Sequence, residues 1–162
     1  MPRDEEDVRQ LVERLGVGLR DAGVRVTHQR LEIFREVAKS GGHPDVETVF
    51  RGVRKRVPTV SLDTVYRALW LFTDLGLITT LSLPRERLRF DANMKPHHHF
   101  VCTKCGMASD FYSEELDHLR LPGSVRDLGV VQKMQVEVRG LCRDCAEGTD
   151  PTQRTQRKEE EL

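Results

Sequence analysis

All four cysteines of the chain fall in two C-x-x-C pairs, Cys102-Thr103-Lys104-Cys105 and Cys142-Arg143-Asp144-Cys145. Each pair can turn two thiolates toward one point, and four sulfurs close a tetrahedral shell around zinc. A redox dithiol or a set of disulfides competes with this reading, but two matched pairs in a reducing cytoplasm favour metal. Four protein ligands leave no position for substrate or water, so the expected Zn²⁺ is structural. Any fold must therefore tie a strand near residue 102 to the end of a strand finishing at 142.

The residues around these pairs read as a small α+β unit. Phe100 to Cys102, Ala108 to Phe111 and the alternating Met134, Val136 and Val138 predict strands, with a short helix over Glu114 to Leu121. At about fifty residues such a unit ordinarily needs a metal or a partner chain to stay folded. Residues 148–162 have no hydrophobic periodicity and end in KEEEL, which predicts disorder.

The N-terminal half is different. Val8, Leu11, Val12, Leu15 and Leu19 recur at helical spacing, with Gly23 as the stop. Thr27 caps a second helix carrying Leu31, Phe34, Val37 and Ala38, ended by Gly41 and Gly42. Val46, Val49, Phe50, Val53 and Val57 form the stripe of a third, closed by Pro58. Ser61 caps a fourth with Leu62, Val65, Leu69 and Phe72 inward, Thr64, Tyr66 and Arg67 outward, and Gly76 as a left-handed stop. The β-type runs Leu77 to Leu83 and Leu88 to Phe90 flank Pro84-Arg85-Glu86-Arg87 as a hairpin. Helices followed by a basic-tipped hairpin predict a winged helix-turn-helix, whose last helix enters the DNA major groove while the wing meets the backbone. The expected organisation is a winged-helix domain over 1–90, a hinge at 91–96, a dimerisation and metal-binding domain over 97–147 and a tail over 148–162.

Charge does not announce a nucleic-acid binder. The 26 Lys and Arg balance the 26 Asp and Glu, so any DNA contact must come from local placement, such as Arg51, Arg54, Lys55 and Arg56, and from helix N-termini aimed at phosphate. Taken alone, that basic run reads more readily as a solvated helix face. No apolar run approaches membrane-spanning length, and the acidic opening MPRDEEDVRQ is unlike a secretory signal, so the expected location is the cytoplasm, with no membrane partner.

A second constellation is His97-His98-His99 beside Asp91, with Asp110 after the first cysteine pair and His43 at the third helix. On a strand His97 and His99 share a face that His98 does not. Nitrogen and carboxylate donors without thiolate suit Fe²⁺, Mn²⁺ or Zn²⁺. From spacing alone, solvated or core histidines fit as well.

From Gly23-Val24-Arg25-Val26-Thr27 to Cys145 the chain resembles the ferric uptake regulator (Fur) family. Ser61-Leu62-Asp63-Thr64-Val65-Tyr66-Arg67 looks like its recognition helix, and His97-His98-His99-Phe100-Val101-Cys102 resembles its metal-binding strand. The two C-x-x-C pairs fall where that family holds structural zinc. The resemblance implies a homodimer that binds an inverted repeat in double-stranded DNA when a divalent ion at the hinge fixes the DNA-binding domains in register. It implies His43, Asp91, His97, His99 and Asp110 as ligands of a regulatory Fe²⁺ or Mn²⁺, and Arg25, Ser61, Thr64, Tyr66 and Arg67 as DNA-facing residues. No organic cofactor and no catalytic residue is expected.

Asp110 stands where iron-sensing members more often carry Glu, and in this it resembles the peroxide-sensing (PerR-like) branch, which would make His43 and His97 oxidation-sensitive. Met134 occupies a position where many members have a ligand His, so an accessory site is not implied. Arg67 replaces the Asn common among peroxide sensors and resembles the iron sensors. Iron-sensing and zinc-sensing repressors are thus the alternatives within the family. Outside it, a zinc hydrolase could use the histidine cluster with bound water, though the sequence supplies no evident substrate pocket or oxyanion donors. A metal-storage or zinc-binding interaction module would explain the cysteines but not the capped helices and hairpin.

Overall fold

The structure is a computed structural model that describes residues 3–82, 88–132 and 134–148. The hairpin tip Pro84 to Arg87 and nearly all of the tail expected over 148–162 lie outside the described residues. The chain divides into two units, Met1–Met94 and Lys95–Leu162. Among the described residues no helix is long and apolar enough to cross a membrane.

The first unit contains α1 (Glu5–Asp21), α2 (His28–Lys39), α3 (Val46–Arg54), α4 (Leu62–Asp74), β1 (Thr79–Ser82) and β2 (Leu88–Asp91). Each helix starts at a residue whose side-chain oxygen takes a backbone N–H three positions on: Asp4 from Asp7, Thr27 from Arg30, Asp45 from Thr48 and Ser61 from Thr64. These caps satisfy amide groups that have no partner within the helix. Gly76, at φ 65°, ends α4 as the sequence predicts. The Leu77 N–H reaches Phe72 O and the Gly76 N–H reaches Thr73 O, the paired bonds of a Schellman stop that needs a left-handed residue.

The helical stripes meet in one core of Val8, Val12, Leu15, Leu19, Ile33, Phe34, Val37, Val49, Val53, Val65, Leu69 and Phe72, closed by Ile78 and Phe90. Phe34 and Phe72 pack edge to face at 5.9 Å. A fully buried side chain of this size contributes about 2 kcal/mol. Strands β1 and β2 pair antiparallel, Leu81 opposite Arg89 and Thr79 opposite Asp91.

Two expectations change here. Leu62 is 45% exposed, not inward: it shares the side of Val65 and Leu69 but is the first residue of α4, at the open end of the stripe. Helix α3 stops at Arg54, and Val57 reaches the core from the turn that follows.

The second unit holds a three-stranded sheet in the order β4 (Ala108–Phe111), β3 (His98–Cys102), β5 (Glu137–Gly140). β3 pairs antiparallel with β4 and parallel with β5. Single helical turns α5 (Glu114–Asp117), α6 (Gly123–Arg126) and α7 (Arg143–Ala146) complete it. The helix expected over Glu114 to Leu121 is thus cut to one turn; Pro122 disfavours helical backbone at Leu121, and no residue of that turn is buried. Met134 and Val136 fall outside β5, although Val136 O accepts the His99 N–H at 3.0 Å.

Candidate metal centres and nucleic-acid face

β3 ends at Cys102, and its register sets Cys102 opposite Gly140 at the end of β5. The first pair closes through a turn in which the Gly106 N–H reaches Cys102 O at 2.9 Å, with Gly106 at φ 72°. The second pair opens α7, with Cys142 as its cap residue. All four thiols are free and their Sγ atoms lie within 4.8 Å of one another. Cys105 Sγ is 3.8 Å from Cys142 Sγ. Tetrahedral Zn–S bonds of about 2.3 Å place ligand sulfurs about 3.8 Å apart, whereas a disulfide needs about 2.05 Å. The donor set and its spacing fit zinc.

Electrostatics point the same way. Burial opposes ionisation of Cys102, but hydrogen bonds from the backbone of Cys105, Cys142 and Lys104 outweigh it and bring the thiol down to about 6. Burial and the neighbouring thiols push Cys145 strongly upward. Without a cation one thiolate is welcome and a full set is not; a divalent ion supplies the missing charge.

Of the five His and Asp candidates, three belong to the second unit and two to the first. In the second unit His97 Nε2 and His99 Nε2 are 2.9 Å apart with their rings nearly perpendicular, at 85°. Asp110 Oδ1, from the neighbouring strand β4, is 3.8 Å from the first nitrogen and 3.5 Å from the second. His97 Nδ1 is 2.6 Å from Lys95 O. Donation of Nδ1–H to that carbonyl leaves the Nε2 lone pair facing the cluster. Gln135 Nε2 lies 3.0 Å from His99 Nδ1 and donates to His97 O at 3.2 Å. His98, on the opposite face, accepts the Val136 N–H at Nδ1 and faces Asp117 with Nε2 at 3.2 Å.

In the first unit His43 Nε2 is 3.8 Å from Asp91 Oδ2, and both residues are buried. β2 holds this pair together. Arg89 donates to His43 O at 3.2 Å, and the Phe90 N–H reaches Pro44 O at 3.0 Å. Asp91 Oδ1 takes the Asn93 N–H at 2.7 Å. His43 has φ 51°, a left-handed conformation uncommon for a residue with a Cβ. Sequence reading named neither Gln135 nor Arg89, since partners 36 and 46 residues away leave no local pattern.

On α4 Tyr66 is 49% exposed and stands edge to face on Trp70 at 6.1 Å, while Arg67 is exposed with Asp63 Oδ2 3.8 Å away. Thr64 and Arg67 line one groove with Arg25 and Thr27, just before α2, and Gln29 and Arg30 in its first turn. Arg30 donates to Arg25 O and so fixes the backbone that carries Arg25. The Ser61 hydroxyl is engaged as a cap and with Thr64 Oγ1. Of the basic run, Arg56 is bound to Glu32 and Glu36 of α2, and Arg54 lies over the Phe50 ring; Arg56 thus joins helices.

The family model described as "Ferric uptake regulator family" matches residues 21–137. A curated protein named "Peroxide-responsive repressor PerR" from Staphylococcus epidermidis is 33% identical over 148 residues, covering 91% of this chain and 98% of its own. Among solved structures, the ferric uptake regulator of Francisella tularensis with iron has a TM-score of 0.63 at 29% identity, covering 76% of this chain and 96% of that one. The ferric uptake regulator of Pseudomonas aeruginosa with manganese has a TM-score of 0.66 at 26% identity, covering 79% and 97%.

Proposed function

The chain belongs to the ferric uptake regulator family of metal-responsive transcription repressors, which are not enzymes, and from that premise we propose that it is a peroxide-sensing repressor. The observation that carries this reading is the set of His and Asp groups, buried except for the partly exposed Asp110: His97, His99 and Asp110 in the second unit, His43 and Asp91 in the first. As one centre for Fe²⁺ or Mn²⁺, they would couple metal occupancy to the arrangement of the two units, because ligands from separate segments meet in only one conformer. Five nitrogen and oxygen donors without thiolate suit both ions. The cysteine set would hold structural Zn²⁺.

Within the family, Asp110 and the similarity to a peroxide-responsive repressor support the peroxide branch. A bound ferrous ion supplies the reaction with peroxide. The chain would supply the imidazoles of His43 and His97 as the groups oxidised, and loss of a neutral nitrogen donor would weaken the shell. Arg67 favours the iron-sensing alternative.

The DNA-bound form would be a homodimer on an inverted repeat, with Arg25, Thr64, Tyr66 and Arg67 toward DNA and Ser61 shaping the helix N-terminus that faces phosphate. Val138 and Leu141, exposed on and just after the edge strand β5, supply apolar surface for a second copy. A cytoplasmic location follows from that role.

The test is operator binding by the Fe²⁺ and Mn²⁺ forms before and after peroxide. The Fe²⁺ form should release DNA and gain one oxygen on a peptide containing His43 or His97, while the Mn²⁺ form stays bound and unmodified. Equal insensitivity would leave an iron or manganese sensor.

A further inference from the structure

Arg3 comes just before Asp4, the cap of α1, and its guanidinium meets two distant groups of the first unit. Nη1 donates to Ala38 O in the last turn of α2 at 2.9 Å, and Nη2 lies 3.9 Å from Asp91 Oδ1. The side chain is 21% exposed and Asp91 is buried. The two oxygens of Asp91 therefore differ: Oδ1 has an amide at 2.7 Å and a cation beyond it, while Oδ2 faces His43.

We propose that Arg3 is a positioning residue that lowers the affinity of Asp91 for a regulatory divalent cation, and that cation binding in turn loosens the N-terminal segment. The proposal rests on the reading of Asp91 as a ligand. A fixed positive charge about 4 Å from a ligating carboxylate draws off part of its field and repels an incoming ion, and poor screening at a buried site preserves the effect. Coupling is reciprocal, so an ion that Arg3 disfavours must itself disfavour the Arg3 contact. The C-terminal carbonyl of α2 keeps the guanidinium in place as a second anchor. If Arg3 instead only aligned Asp91, its removal would weaken metal binding; the sign of the effect separates the two.

The experiment titrates zinc-loaded full-length protein with Mn²⁺ and counts free Mn²⁺ by electron paramagnetic resonance. Arg3→Gln keeps a donor for Ala38 O without the charge and should bind Mn²⁺ about ten-fold more tightly at low salt, with the gain shrinking as salt rises. Arg3→Lys should stay close to the parent. Amide exchange near Val8, whose N–H bonds to Asp4 O, should quicken in the parent when Mn²⁺ binds. That measurement needs no variant and stands even where Arg3→Gln folds poorly. Unchanged or weaker Mn²⁺ binding by Arg3→Gln, or exchange indifferent to Mn²⁺, overturns the proposal. Asp91→Asn tests the premise: parent-like Mn²⁺ affinity there removes Asp91 from the ligand set, whereas its loss beside an unchanged Arg3→Gln removes the tuning alone.

Discussion

Cys105 Sγ and Cys142 Sγ, separated by 37 residues of sequence, lie 3.8 Å apart. That is the edge of a zinc–thiolate tetrahedron, and it joins the ends of β3 and β5 where they pair in parallel. A two-residue hairpin cannot connect parallel strands, so the sulfur cluster closes a connection that local contacts leave loose.

Cys142→Ser should therefore lose zinc and, with it, the packing of the second unit. Native mass spectrometry should find no bound zinc, and size-exclusion chromatography should show loss of the dimer. A folded, dimeric and zinc-free variant would show that the apolar contacts suffice.

Replacing Tyr66 and Arg67 with Ala should weaken operator binding at least about ten-fold, with Arg67→Ala alone lowering the salt slope by about one. Metal content should not change. Both side chains are exposed, so the melting temperature should hold within about 2 °C. A large drop in melting temperature would mean that Tyr66 serves the core.

Acid sensitivity should centre on Glu32, which is buried in α2 between Arg35 and Arg56. Burial resists its ionisation, but the Arg56 hydrogen bond and the charges of Arg35, Arg56 and His28 together hold it below its usual 4.5. A depressed folded-state value means that the stabilisation is complete above the unfolded value and fades as pH falls through the folded one. Stability should drop below about pH 4.5, and less in Glu32→Gln, which should cost about 1–3 kcal/mol near neutrality by leaving Arg56 without its nearer partner. Chemical denaturation at several pH values checks both.

Gln135→Ala should reduce Mn²⁺ affinity about ten-fold or more, because Gln135 donates to the His97 carbonyl and so fixes the backbone that carries both imidazoles. Gln135→Glu, which cannot donate to the His97 carbonyl, should not restore it. Unchanged titration curves for Gln135→Ala would limit that residue to surface packing.

Much of the first unit was legible because its signals are local. Caps at Thr27 and Ser61, a left-handed stop at Gly76 and stripes such as Val65, Leu69 and Phe72 act within one or two turns, and the structure keeps each. The cysteine spacing likewise determined a four-sulfur cluster, since C-x-x-C fixes two ligands per turn whatever the surrounding fold. The parallel pairing of β3 with β5, the shortening of the helix after Glu114, the use of Arg56 as a tie to Glu32 and the exposure of Leu62 were decided by tertiary structure. So were the contacts of Gln135, Arg89 and Arg3, whose partners lie 35 to 88 residues away. Periodicity reports which face of an element is apolar; which distant carbonyl or carboxylate meets a given side chain depends on how elements pack, and no window of sequence holds that information.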